Sequence, residues 1–351
     1  MRTLKNLLVT GGAGFIGSNF IRYLLKNDSN INLIINLDAL TYAGNIISLN
    51  DVENDYRYHF EHGDICDRAL VESLFVKYNI DTVVNFAAES HVDRSIHNPE
   101  YFLKTNIIGT YTLLDVSRNI WKKRQDVLFH HISTDEVYGS LGETGFFSET
   151  TPYNPRSPYS ASKAGSDHLV MAYNHTYGIP VTVSNCSNNY GPYQFPEKFI
   201  PLMILNIIEG KKLPVYGDGK NIRDWIFVDD HNCAIWAIMQ NGISGETYNI
   251  GGENEFENIK LLDLLIEITA SKINKKPSEI RRTISFIKDR LGHDRRYAID
   301  CSKIKNELGW KNLTTFEEGI KTTVDFYCIN KKWIDSIRSG EYLNWLTKNY
   351  G

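Results

Sequence analysis

The stretch Thr10-Gly11-Gly12-Ala13-Gly14-Phe15-Ile16-Gly17 decides the fold. A short apolar run, Leu7–Val9, precedes it and a helical pattern, Ser18–Lys26, follows. Gly11 permits a tight turn, Gly14 lets the backbone approach a pyrophosphate, and Gly17 lets the helix pack on the strand. With Gly12, Phe15 and Ile16 these residues form a turn at a helix N-terminus, where free amides and the positive dipole end favour phosphate. Glycines alone also suit a structural turn. Here an acid closes the next strand, Leu33–Leu37: Asp38, 21 residues past Gly17. A carboxylate there accepts from ribose hydroxyls and repels a 2′-phosphate. Ala39 and Leu40 follow, with no arginine for that phosphate, so NAD is expected over NADP. Asp64-Ile65, after a third strand-like stretch, reads as an adenine contact or as a simple loop.

Beyond this turn, strand-like runs alternate with helical ones. Thr82–Phe86, Val127–Ile132 and Val181–Ser184 read as strands, Arg68–Tyr78 and Gly109–Ile120 as helices. The alternation predicts an α/β fold, a Rossmann-type doubly wound parallel sheet. Most of these strands lack polar alternation, as strands buried on both faces do. After Gly191 the rhythm changes. Pro192, Pro196, Pro201 and Pro214 break the chain, then helices recur at Asp230–Gln240, Leu261–Ser271 and Thr315–Ile329. Residues 1–190 are therefore expected to form the cofactor domain with the catalytic residues. Residues 191–351 are expected to form a smaller, mixed α/β substrate-binding domain, with some chain crossing back to the sheet. The Lys-rich stretch Lys272–Arg282 reads as solvated surface.

Bulk properties exclude other classes. The 351 residues, 42% hydrophobic and 23% charged, suit a globular protein. A net charge of -4 provides no global field for nucleic acid or anionic membrane. No apolar run of about 18 residues occurs, so no membrane-spanning helix is expected. Met1–Thr10 leads into glycines and reads as a strand, not a signal peptide. Cys66, Cys186, Cys233, Cys301 and Cys328 form no Cys-x-x-Cys, which points to free thiols in the cytoplasm. No metal site is expected. The histidines form no His-x-x-x-His, and neighbours His130 and His131 would face opposite sides of a strand.

Two motifs carry the chemistry. Tyr159-Ser160-Ala161-Ser162-Lys163 sets a phenol and an ammonium four apart, after Pro158, a residue suited to a helix start. An adjacent lysine and a positive nicotinamide ring lower a tyrosine pKa, making a base for a hydroxyl proton as hydride leaves the same carbon. The bland reading is a surface pair. The second motif, Ser133-Thr134-Asp135-Glu136-Val137-Tyr138-Gly139, ends a buried strand, where ligands of open α/β sheets bind. One of its acids could cap a helix and the other be solvated. In one pocket, however, adjacent carboxylates divide into an acid and a base, as elimination of water requires.

Together these motifs resemble the extended short-chain dehydrogenase/reductase family, and the Thr-Asp-Glu triplet its NAD-dependent sugar-nucleotide dehydratases. The likeness runs through Val9–Gly17, Leu37–Asn45, Phe86–Ser95, Thr105–Thr110, Ser133–Gly139, Tyr159–Lys163, Ser187–Pro192, Glu197–Pro201, Arg223–Trp225 and Asp289–Asp294. It implies that Asp38, Ala39, Leu40, Thr41, Asp64 and Ile65 line the adenosine. It implies that Phe86, Ala87, Ala88, Glu89, Ser90, Thr105, Tyr159, Lys163 and Asn189 contact the rest of NAD. Ser90 and Thr134 would bond the sugar. Asn188, Lys198, Phe199, Pro214, Val215, Tyr216, Arg223, Asn258, Asp289, Arg290, Leu291, Gly292 and His293 would hold the nucleotide. Arg223 is physically apt, since a guanidinium grips phosphate with two bonds; its bland reading is a surface salt bridge. Leu291 stands where the family often has proline, and Gly251–Asn258 is idiosyncratic, so the base preference is less firmly implied than the reaction.

The resemblance implies a lyase that turns dTDP-glucose into its 4-keto-6-deoxy derivative, a rhamnose-type precursor. On that reading Tyr159, ionised with help from Lys163, would take the 4-hydroxyl proton as hydride passes from C4 to NAD, Glu136 would take the C5 hydrogen, Asp135 would protonate the departing 6-hydroxyl, and hydride would return to C6. Helices Gly109–Ile120 and Ser162–Tyr177 would pair in a homodimer. Competing readings are a UDP-sugar 4-epimerase, a sugar-uronate decarboxylase and a catalytically silent NAD-binding regulator. An epimerase needs no eliminating acid–base pair. Asp135-Glu136 would repel a substrate carboxylate, and a silent protein needs none of the four groups.

Overall fold

The computed structural model describes residues 2–289 and 293–338. Arg290, Leu291 and Gly292, expected at the nucleotide, lie outside the described residues. The first six strands are β1 (Asn6–Thr10), β2 (Leu33–Asp38), β3 (Tyr58–His62), β4 (Thr82–Asn85), β5 (Leu128–Thr134) and β6 (Val181–Cys186). Then come β7 (Asn188–Tyr190), β8 (Leu213–Tyr216), β9 (Ile222–Phe227), β10 (Glu246–Ile250), β11 (Glu255–Glu257) and β12 (Ile284–Ile287). The central sheet has the order β3-β2-β1-β4-β5-β6-β10, with every pairing parallel. Strand order reverses between β1 and β4, and ligands bind beyond the carboxyl ends of strands at such a point.

Alternating residues of the strands feed two cores. Leu7 and Val9 pack on one face of the sheet with Phe20, Ile21 and Leu24 of the helix Phe15–Asn27. Leu8 packs on the other with Leu74 and Phe75 of the helix Arg68–Tyr78 and with Leu113 of the helix Thr110–Trp121. A third core joins the helices Phe199–Glu209, Asn258–Lys272 and Phe316–Ile329. Two small sheets accompany it, β11-β9-β7 and β12-β8.

Two differences from the sequence reading bear on the site. Strand β5 runs on through Ser133 and Thr134, because these pair with Asn185 and Cys186 of β6. Pro201 breaks nothing: it lies in the first turn of Phe199–Glu209, where no intrahelical amide is needed. That helix is apolar at nearly every position and correspondingly buried. After residue 191 the chain re-enters the central sheet as β10. The stretch Lys272–Arg282 is mostly exposed, anchored by buried Ile280 of the short helix Pro277–Arg281.

Candidate active site

The glycine turn leaves β1 at the switch point. Gly11 has φ +68°, and a Cβ on it would stand 2.7 Å from the Ala87 nitrogen beyond β4. At Gly17 a Cβ would meet the Gly11 carbonyl at 2.5 Å, so the helix sits against the turn. Asp38 closes the adjoining wall. Its Oδ2 accepts from the Ala13 amide and its Oδ1 from the Leu40 amide, each at 2.8 Å. Burial pushes this carboxyl up, and the two amides hold it down. A carboxylate has about four acceptor sites, so two amide bonds leave capacity for ribose hydroxyls.

The turn opens on a cavity of about 330 Å³. Most residues expected at the cofactor line it: Gly11, Gly14, Phe15, Ile16, Gly17, Asp38, Ala39, Thr41, Asp64, Ile65, Phe86 to Ser90, Thr105 and Asn189. So do Thr134, Asp135, Glu136, Tyr159 and Lys163, on the far side. Gly12 and Leu40 are not among the lining residues. A Cβ on Gly12 would strike the Asn36 side chain at 2.3 Å, so this residue serves packing. Leu40 contributes its amide to Asp38.

A smaller cavity of about 160 Å³ adjoins it, and Ser90, Glu136, Asn188, Asn189 and Lys198 line both. Phe199, Pro214, Val215, Tyr216, Arg223, Asn258 and His293, all expected at the nucleotide, line the smaller cavity as well. Asp289 is not a lining residue; it bonds His293 Nδ1 at 2.6 Å. Arg223 does not lie at the surface. It is 5% exposed, stacks 4.4 Å from the Tyr297 ring and donates to the Ile222 and Asp294 carbonyls. Lys198 Nζ donates to the Ser90 carbonyl at 3.0 Å.

The catalytic motifs converge at the ends of β5 and the helix Pro158–Tyr177. That helix starts at Pro158 behind a Ser157/Ser160 capping box, which fixes Tyr159 in its first turn. Thr134 caps the turn Asp135–Tyr138, its hydroxyl accepting from the Glu136 amide at 3.3 Å. Asp135 is 2% exposed, whereas Glu136 is half-buried and reaches both cavities. Burial, then the charges of Glu136 and Asp224, push the Asp135 carboxyl well above its ordinary range. Two neighbouring carboxyls therefore sit in unlike surroundings.

Tyr159 departs from expectation. Burial, with Glu136 and Cys186 beside it, raises the phenol well above its ordinary value, and a hydrogen bond with Thr134 opposes the rise. Lys163 lies one turn on, but its Nζ donates to the Ile132 carbonyl at 2.7 Å rather than to the phenol. Helical spacing put both groups on one face, and the long lysine stem reaches the Ile132 carbonyl of β5.

Sequence reading missed Gln194, Phe195 and Glu197, which line the large cavity. Glu197 is 4% exposed, 3.3 Å from Arg94, and burial pushes it up to about 7. Arg94 in turn stacks 3.7 Å from the Tyr42 ring. The signals at Glu197 were a lone acid before a largely apolar run and its place at the head of the matched stretch Glu197–Pro201.

Comparison with known proteins agrees with this geometry. Residues 8–323 match a family model described as GDP-mannose 4,6 dehydratase. A dTDP-glucose 4,6-dehydratase of Salmonella typhimurium is 52% identical over 98% of each chain. The crystal structure of a dTDP-glucose 4,6-dehydratase from Bacillus anthracis in complex with NAD superposes with a TM-score of 0.86. It is 45% identical and covers 95% of this chain and 100% of its own. A UDP-glucose 4-epimerase of Thermotoga maritima, solved with UDP-glucose, is more distant: TM-score 0.81 and 31% identity over 92% of this chain and 98% of its own. Fold, site and relatives agree, and the chain belongs to the dTDP-glucose 4,6-dehydratase family.

Proposed function

We propose that this protein removes water from dTDP-glucose to give dTDP-4-keto-6-deoxyglucose, with NAD held in the larger cavity and the nucleotide in the smaller. One observation carries the reading: a buried Asp135 beside an accessible Glu136, at the end of β5, facing the same cavity as Thr134 and Tyr159. The glycine turn and the remaining acceptor capacity of Asp38 fit a dinucleotide with a free ribose 2′-hydroxyl. Bound NAD supplies the acceptor for the C4 hydride, the positive ring that favours the Tyr159 phenolate, and the hydride returned to C6.

The remaining work falls to side chains. Thr134 holds the 4-oxygen and Tyr159 takes its proton. The new ketone acidifies the C5 hydrogen, which Glu136 removes. Asp135, whose burial favours the protonated form, gives its proton to the departing 6-hydroxyl. Glu136 returns a proton to C5. Arg223 and Lys198 anchor the remote nucleotide, whose binding energy keeps the sugar in place through these steps. A 4-epimerase would leave Asp135 and Glu136 without work, and that reading is less supported.

The proposal keeps residues 1–190 as the cofactor and catalytic part and residues 191–351 as mainly the nucleotide-binding part. It also includes a homodimer. Leu103, Ile108, Tyr111 and Tyr177 are exposed apolar groups on or beside the helices Thr110–Trp121 and Pro158–Tyr177, whose pairing would cover them. Five free cysteines fit the cytoplasm. Incubating the purified protein with dTDP-glucose and no added cofactor tests the activity. A product lighter by one water is expected; the galactose isomer alone would refute dehydration.

A further inference from the structure

Behind the catalytic face Lys163 meets two buried polar groups, His131 and Asp167, that the proposed chemistry does not use. Lys163, His131 and Asp167 are 4%, 1% and 2% exposed. Lys163 Nζ and Asp167 Oδ1 each lie 3.4 Å from His131 Nε2. The ring's tautomer follows from its other side. Asn85 accepts from the Thr10 hydroxyl through Oδ1, so its amide nitrogen donates to His131 Nδ1 at 3.2 Å. Nδ1 is thus an acceptor, and Nε2 carries the proton of the neutral ring. That N–H bonds to Ser166 Oγ, 3.3 Å away, and Asp167 Oδ1 stands 3.4 Å from the same nitrogen. Burial and Lys163 hold the imidazole down at about 4, so it stays neutral.

The carboxylate end is built for charge. Asp167 Oδ2 accepts from Ser133 Oγ at 2.6 Å and from the Tyr153 hydroxyl at 3.1 Å. Around Lys163, β5 presents His131 and the Ile132 carbonyl, β6 presents Cys186, and its own helix presents Asp167. Cys186 is a thiol pushed up to about 12 and carries no charge at neutral pH. Burial lowers Lys163; among the groups around it, Asp167 is the main influence in the other direction.

We propose that Asp167, acting across the neutral His131 ring, is the buried counter-charge that keeps Lys163 protonated, and so is a positioning residue for oxidation at C4. This rests on the part given above to Tyr159 and Lys163. The test is a titration of Lys163 by carbon NMR of lysine-labelled holoenzyme, assigned with Lys163→Met. In Asp167→Asn the Lys163 midpoint should fall by at least about one unit, a tenfold change in its proton equilibrium. Asp167→Glu should restore much of it. In single-turnover reduction of the bound cofactor by dTDP-glucose, the alkaline limb of Asp167→Asn should move down alike, with sugar-nucleotide affinity unchanged. Should Asp167→Asn fail to fold, Ser133→Ala with Tyr153→Phe removes the two donors to the carboxylate and should lower the midpoint less, in the same direction. An unmoved midpoint overturns the counter-charge. A lowered midpoint with an unmoved reduction limb overturns the positioning role and the part given to Lys163. Dehydration itself is judged separately by product mass.

Discussion

Asp135 and Glu136 are adjacent in the chain and differ in burial, and the proposed division of labour rests on that difference. Asp135 has its pKa raised by burial, so its proton is present below that raised value and lost as the pH climbs through it. Turnover should therefore decline on the alkaline side. Asp135→Asn should cut kcat by about 10²- to 10⁴-fold, the usual weight of a general acid, and flatten that limb in its residual rate. Glu136→Gln should stop solvent exchange at C5 while the bound cofactor is still reduced by substrate; unchanged turnover would remove Glu136 from its role. Arg223→Lys keeps the charge and loses the planar fork. A charge-assisted bond contributes about 1.5–3 kcal/mol, so dTDP should bind roughly 10- to 100-fold more weakly by calorimetry, with kcat changed less. The types and spacing of these residues were readable in the chain. The Lys163–Ile132 bond and the Asp167 line were not, because strand β5 supplies their partners, more than 30 residues away.

At the scale of elements, the glycine turn is the most local feature and was the most legible. Its strand, helix and acid lie within 38 residues, and steric needs alone select glycine at residue 11. Gly11→Ala forces an alanine into φ +68° against the Ala87 backbone. A loss of about 1–3 kcal/mol in stability is expected, read as a lower denaturation midpoint, with NAD retained poorly through purification. The segment Leu103–Gly109 is a π-helical stretch that brings Thr105 to the cavity, and no periodicity announced it. Helix Phe199–Glu209 was missed as well. Its apolar residues have no face, so the period that reveals amphipathic helices is absent.

Across the whole molecule, the site exists because two regions of chain meet over the carboxyl ends of the sheet. Glu136 lines the smaller cavity together with Asn188 of β7 and Arg223 of β9, two strands that pair. The exposed Ile108 and Tyr111 belong to this scale too. If a second copy covers them, a charge there should split the pair. Ile108→Glu with Tyr111→Glu should sediment as a monomer where the unaltered protein sediments as a dimer, with a folded circular dichroism spectrum in both.

The chain by itself determined the doubly wound sheet, the glycine turn with Asp38 at the end of the next strand, and the Thr-Asp-Glu triplet at a strand's end, because each depends on near neighbours and strand or helix period. Only tertiary structure decided which of two adjacent acids is buried and which carbonyl Lys163 meets. It also set Gly12 against the Asn36 side chain, bonded the Leu40 amide to Asp38, and brought Glu197 to the cavity wall. Desolvation and long-range hydrogen bonds set these outcomes, and both depend on what the rest of the fold brings alongside.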